Sequence, residues 1–180
     1  MRYYDAHAHL ADPRVLANLP LVISEVHSHG VRGILANSAR ACEWPTVMEM
    51  ANSSPVLGAL GLHPFFLDEW RDDLPSRLEQ SLRAHERLRA VGEIGLDFYT
   101  GRDDMPRQEA AFSAQLDVAV RLAMPGIFHN RKSWGEFFAI LRSAGPVRGV
   151  CHHFSGSIET ARQALDAGLY LSFCGPLTYT

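Results

Sequence analysis

Lysine is almost missing from this chain of 180 residues: Lys132 stands alone, and arginine carries the rest of the fixed positive charge. Seventeen basic residues face 20 acidic ones, a formal net charge of -3, so no global basic field exists to gather nucleic acid. Any polyanion must be held locally. Cysteine is scarce too: Cys42, Cys151 and Cys174 are odd in number and lack the paired short spacing of a disulfide framework or a zinc knuckle. That usage fits a reducing cytoplasm. No stretch approaches the ~20 apolar residues of a membrane span, and the polar opening Met-Arg-Tyr-Tyr-Asp-Ala-His lacks the apolar core of a signal peptide. Linkers and low-complexity tracts are absent, and 47% hydrophobic against 21% charged residues excludes a disordered chain. A single cytoplasmic domain over residues 1–180, with no membrane contact, is the expectation.

What is present is alternation. Apolar runs that read as strands fall at Tyr3–Leu10, Val31–Asn37, Val56–His63, Ala90–Phe98, Gly126–His129, Val147–Phe154 and Leu169–Gly175. Helical periods lie between them at Pro13–Ser28, Arg40–Ala51, Asp68–Arg89, Pro106–Ala123, Ser133–Ser143 and Ile158–Ala167. Asp12-Pro13 has the cap-then-proline form of a helix start, and Gly30, Gly145 and Gly168 stand where helices should stop. Strands this apolar, each followed by a helix, imply an α/β fold with a parallel sheet, either doubly wound or a TIM-type (β/α)₈ barrel. Six of the nine histidines lie at or near strand ends, which favours the barrel, because a barrel lets many strands feed one centre. A doubly wound sheet also usually has a glycine-rich loop after its first strand, and Ala-His-Ala-His-Leu-Ala-Asp-Pro is nothing like one.

His7 and His9 are one residue apart, so on a strand their rings leave the same face and can share one ion; the alternative is a chance pair. Glu93 sits within the apolar run Val-Gly-Glu-Ile-Gly-Leu-Asp, where a carboxylate is costly unless hydrogen-bonded or metal-bound. Asp97, later on that strand, either orients a ligand or caps the following loop. His129 ends the fifth strand beside the cations Arg131 and Lys132. His152 and His153 are adjacent, so only one of them enters a barrel centre, and periodicity does not choose. His63, after the third strand, either touches substrate or braces its loop. Phe65, Phe66 and Trp70 either stack on a base or anchor packing. With Lys132 outside any strand interior, no strand lysine can bridge two metals, which leaves Glu93 as the candidate bridge.

These residues fall into motifs. Asp5-Ala6-His7-Ala8-His9-Leu10, Gly61-Leu62-His63-Pro64 and Gly92-Glu93-Ile94-Gly95-Leu96-Asp97-Phe98-Tyr99 resemble the signatures of the TatD family of metal-dependent deoxyribonucleases, within the wider amidohydrolase group. Phe128-His129-Asn130-Arg131 and Cys151-His152-His153-Phe154-Ser155-Gly156 resemble two further segments of that family. The resemblance implies that His7, His9 and Glu93 hold one metal and that Glu93, His129 and His152 hold another. It selects His152 over His153. It also implies 3′→5′ exonuclease action on single-stranded DNA, with two divalent ions around a catalytic Glu93 clamping the phosphate. Of the candidate substrate-binding residues, His63 is placed by its position after the third strand, and Arg131 by a planar fork that matches phosphate oxygens. A nitrogen-rich ligand set suits zinc, manganese or iron, whereas the family is usually described with magnesium. Family members carry an eighth strand whose aspartate completes the site, and this chain stops at Gly175-Pro176-Leu177-Thr178-Tyr179-Thr180. A C-terminally incomplete barrel, with impaired activity and self-association through open edges, is therefore expected. The alternatives are an amidohydrolase acting on a small amide or lactone, and a non-catalytic binding or assembly subunit.

Overall fold

In a computed structural model, which describes residues 2–175, seven parallel strands follow one another across a single sheet in the order of the sequence. They are β1 (Tyr3–Ala8), β2 (Val31–Asn37), β3 (Val56–Leu60), β4 (Leu88–Asp97), β5 (Gly126–Arg131), β6 (Gly149–Cys151) and β7 (Leu169–Leu171). The strand order never reverses, so the sheet has no switch point of the doubly wound kind and curls as an open (β/α) barrel. Among the described strands, β1 pairs only with β2 and β7 only with β6. Residues 176–180 lie outside the described residues. No helix of the described chain is long and apolar enough to cross a membrane.

The helices are α1 (Pro13–Leu16), α2 (Leu19–Ser28), α3 (Trp44–Ala51), α4 (Leu74–Ala84), α5 (Met105–Leu122), α6 (Trp134–Ala144) and α7 (Ile158–Asp166). Asp12 caps α1 as its sequence suggests, its side chain accepting from the Arg14 N–H at 2.8 Å. The single helix expected over Pro13–Ser28 is two, separated at Ala17-Asn18, with Pro20 in the first turn of the second. The expected helix Asp68–Arg89 is likewise divided. A 3-10 turn spans Pro64–Glu69, α4 begins afresh with Pro75 in its first turn, and Leu88 and Arg89 already belong to β4. Strands β3, β6 and β7 are shorter than expected because their last residues turn into the loops that carry the polar groups.

Sheet and helices enclose the main core. Phe112 from α5 stacks on Phe137 from α6 at 5.5 Å, and Phe128 from β5 meets Phe137 edge-on at 5.5 Å. Burying each such ring contributes about 1.5–3 kcal/mol. The opposite face of the sheet holds a smaller cluster, Ala59, Ala90 and Ile127, flanked by Leu35 and Val150. Ile127 and His129 alternate onto this same face, so these small side chains form the floor beneath the strand-end histidines.

Candidate metal centre

Glu93 is the hub. It is 2% exposed on β4, and its two carboxylate oxygens face two different groups of imidazoles. Oε2 lies 3.4 Å from His7 Nε2 and 3.2 Å from His9 Nε2, and those two nitrogens are 3.2 Å apart. Oε1 lies 3.1 Å from His129 Nδ1, 3.5 Å from His63 Nε2 and 2.5 Å from His152 Nε2. The rings of His7 and His152 stack at 3.9 Å, which joins the two groups into one cluster.

The local sequence places these groups. Ser38, just after β2, accepts the Glu93 N–H on its carbonyl at 3.0 Å, and its hydroxyl exchanges hydrogen bonds with Gly61. Gly61 has to be glycine: a Cβ there would lie 2.8 Å from the Gly92 carbonyl carbon and 2.9 Å from the Glu93 carbonyl oxygen. Gly95 is as constrained, with φ +146° and a would-be Cβ 1.9 Å from the His129 carbonyl oxygen. Two buried glutamines of α5, seven residues apart, fasten the strand ends. Gln115 bonds the Leu62 N–H and C=O at 2.7 and 3.1 Å, next to His63, and Gln108 bonds the Asp97 N–H and C=O at 2.8 and 3.0 Å. Sequence reasoning missed both. Their signal was a pair of amides on the apolar stripe that also carries Ala111, Phe112 and Leu116.

Asp97 serves in both of the ways its position allows. Oδ2 meets His129 Nε2 at 2.7 Å, and Oδ1 accepts the Tyr99 N–H at 2.9 Å. His63 Nδ1 accepts the Phe65 N–H at 3.1 Å while its other nitrogen faces Glu93, so this histidine braces its loop from inside the cluster. His152 turns inward, whereas His153 is exposed and takes a left-handed φ of 49°. Arg131 leaves the end of β5 and lays its guanidinium 3.5 Å from the centroid of the Tyr99 ring. It shares a cleft of about 340 Å³ with His129, Asn130, His152, His153 and Ser155. Phe66 lies under Arg40 and Trp70 is half-buried, but Phe65 is 53% exposed.

Electrostatics divide the histidines. Burial pushes His7 and His63 down to about 3, against the pull of Glu93, so both are neutral near neutral pH. His9 is raised, first by its hydrogen bond to Glu93. For His129, burial opposes the charged form, but bonds to Asp97 and Glu93 outweigh it and raise the group. Burial likewise opposes ionisation of Glu93, yet the neighbouring imidazoles of His129, His152 and His9 hold it well below the ordinary carboxylate range.

The donor set fits a divalent cation. With Asp97 accepting from His129 Nε2, Nδ1 is left to meet Glu93 either through a proton or through a cation that takes the proton's place. His152 Nε2 is buried and has no hydrogen-bond partner despite its closeness to Glu93, and a buried nitrogen is rarely left so. Spacings of 3.2–3.4 Å among His7, His9 and Glu93 match the roughly 3.3 Å edges of a tetrahedron of nitrogen and oxygen ligands about 2.0–2.2 Å from an ion. Two groups have ligand atoms within reach of one ion, His7 with His9 and Glu93, and His63 with Glu93 and His129.

A family model described as TatD related DNase matches residues 4–180. The chain belongs to this family. An uncharacterized metal-dependent hydrolase, YabD of Bacillus subtilis, is 33% identical over 180 residues, covering 98% of this chain and 70% of its own. A 3′-5′ ssDNA/RNA exonuclease TatD of Edwardsiella piscicida is 30% identical over 176 residues, 95% of this chain and 67% of its own. The crystal structure of YjjV, a TatD homologue from Escherichia coli K12, superposes with a TM-score of 0.93 at 30% identity, over 99% of this chain and 70% of that one. Family and cluster together make the chain a TatD-family metal-dependent hydrolase.

Proposed function

We propose that the chain hydrolyses phosphodiester bonds at the 3′ end of single-stranded DNA, with two divalent cations held around Glu93. The observation that carries this reading is one buried carboxylate whose two oxygens face separate sets of imidazoles. His7, His9 and Glu93 would hold one cation, and Glu93, His129 and His152, with His63 beside them, the other. When bound, such cations polarise a phosphate and acidify water. His7 is already neutral and need not first lose a proton to act as a ligand. Asp97 fixes the tautomer of His129, as carboxylates behind ligating histidines do. Arg131 meets the substrate phosphate with its planar fork, which supplies local positive charge on a chain of net charge -3. Support for the substrate comes from TatD exonucleases named for single-stranded DNA and RNA.

The test is a 5′-labelled single-stranded oligonucleotide incubated with Mg²⁺, Mn²⁺ or Zn²⁺. The expected result is a ladder shortening from the 3′ end, abolished by chelator and by Glu93→Gln. Cleavage of model amides with the oligonucleotide left intact would overturn the reading in favour of an amidohydrolase.

A further inference from the structure

Beside the cluster, the rim of the site offers a second kind of chemistry. Phe65 lies immediately after His63-Pro64 and is 53% exposed, although its neighbours Phe66 and Trp70 are packed. Its backbone is fixed by the bond from its N–H to His63, and its ring stands 4.8 Å from the His63 ring and 6.1 Å from the His129 ring. A large apolar ring held in water at the mouth of a polar centre contributes little to packing. Past β4, Tyr99 is 51% exposed and carries two cations on its ring, Arg131 at 3.5 Å and Lys132 at 4.6 Å. Lys132, the one lysine of the chain, adopts a left-handed φ of 57° to reach it, a conformation uncommon for a residue with a long side chain. Among the described residues neither cation makes a salt bridge, so both keep their donors for an outside anion.

We propose that these residues form a nucleotide subsite, in which Phe65 is the stacking platform for the terminal nucleobase and Tyr99 holds Arg131 and Lys132 against its phosphate. The subsite rests on the phosphodiesterase reading above and adds the demand that the base be unstacked. A ring offers its face to any base, so the preference is for single strands and not for sequence. The division of labour follows from placement. Phe65 has no cation on its ring and borders His63 and His129, whereas Tyr99 already carries Arg131 and steadies the direction of its fork.

The experiment is fluorescence anisotropy in Mn²⁺ with two 5′-fluorescein hexanucleotides, each with a hydrolysis-resistant phosphorothioate as its last linkage. One is all thymidine, and the other ends in an abasic residue. Wild-type protein should bind the base-bearing strand about tenfold more tightly. Phe65→Leu, which keeps apolar bulk but no ring face, should erase that preference and leave abasic binding unchanged, and Phe65→Tyr should restore it. Tyr99→Leu should weaken both strands equally. A preference that survives in Phe65→Leu, or equal binding of the two strands by wild type, overturns the subsite while leaving the hydrolase reading intact. Failure of wild type to bind either strand overturns both.

Discussion

The middle of the sheet and its first strand are built to different standards. In β4 every residue except Arg89 is buried, and β4 is hydrogen-bonded to neighbours on both sides. In β1 the first three residues are exposed and the last three half-buried, with Tyr4 73% exposed. Yet the candidate centre takes groups from both: Glu93 comes from β4, His7 from β1 and His9 from just beyond it. Side-chain burial therefore fixes one half of the site, while the other half is held chiefly by what its histidines meet. A cation between His7, His9 and Glu93 would tie the looser strand to the rigid one.

The largest effect should come from the rigid part. Phe128→Ala empties space beside the stacked rings of Phe112 and Phe137 and should cost about 3–5 kcal/mol in denaturant unfolding. A loss below about 1 kcal/mol would mean that the aromatic cluster does not carry the core. Next comes the support behind the ligands. Asp97→Asn keeps the shape but removes the charge that orients His129, and should weaken metal affinity about 10- to 100-fold with folding intact. Calorimetric titration checks this. Hydrogen exchange sharpens the contrast between the strands: metal should slow exchange in β1 more than in β4, whose amides are already protected. The smallest effect belongs to the exposed strand, where Tyr4→Ala should change stability by no more than about 0.5 kcal/mol.

The pH dependence carries opposite signs within one cluster. His7 and His63 are neutral when folded and take up protons on unfolding, so their contribution to stability falls as pH drops from 6.5 towards 3. His9 and His129 are raised, so theirs is present below the ordinary histidine value and is lost as pH climbs through the raised values. A cation competes only with this second pair of protons near neutrality. Affinity should therefore increase as pH rises from 6 to 8.

Much of this was legible in the sequence because strand periodicity is simple. The alternation of His7 and His9 on one face, the costly carboxylate at Glu93 and the placing of His129 on the fifth strand follow from a repeat of two, although that strand runs two residues past His129, to Arg131. Where periodicity is silent, as between His152 and His153, only the family resemblance chose, and the ring that faces Glu93 is that of His152. The divided helices escaped notice because Pro20 and Pro75 are as compatible with a first turn as with a kink, and the apolar period runs on through them. Gln108 and Gln115 escaped for another reason: their value lies in main-chain groups of Leu62 and Asp97, and which main chain a helix will face is a property of the assembled fold. His63 was read at its loop, and its second nitrogen, turned towards Glu93, belongs to tertiary structure alone.

Among the described residues, Glu93 is the one anion that faces both groups of histidines. Calorimetric titration of the metal-free protein with Mn²⁺ at pH 7, in buffers of different ionisation enthalpy, tests that most directly. Wild type should bind with release of protons from His9 and His129, and Glu93→Gln should lose binding at both groups while remaining folded. Unchanged stoichiometry and affinity in folded Glu93→Gln would contradict the account.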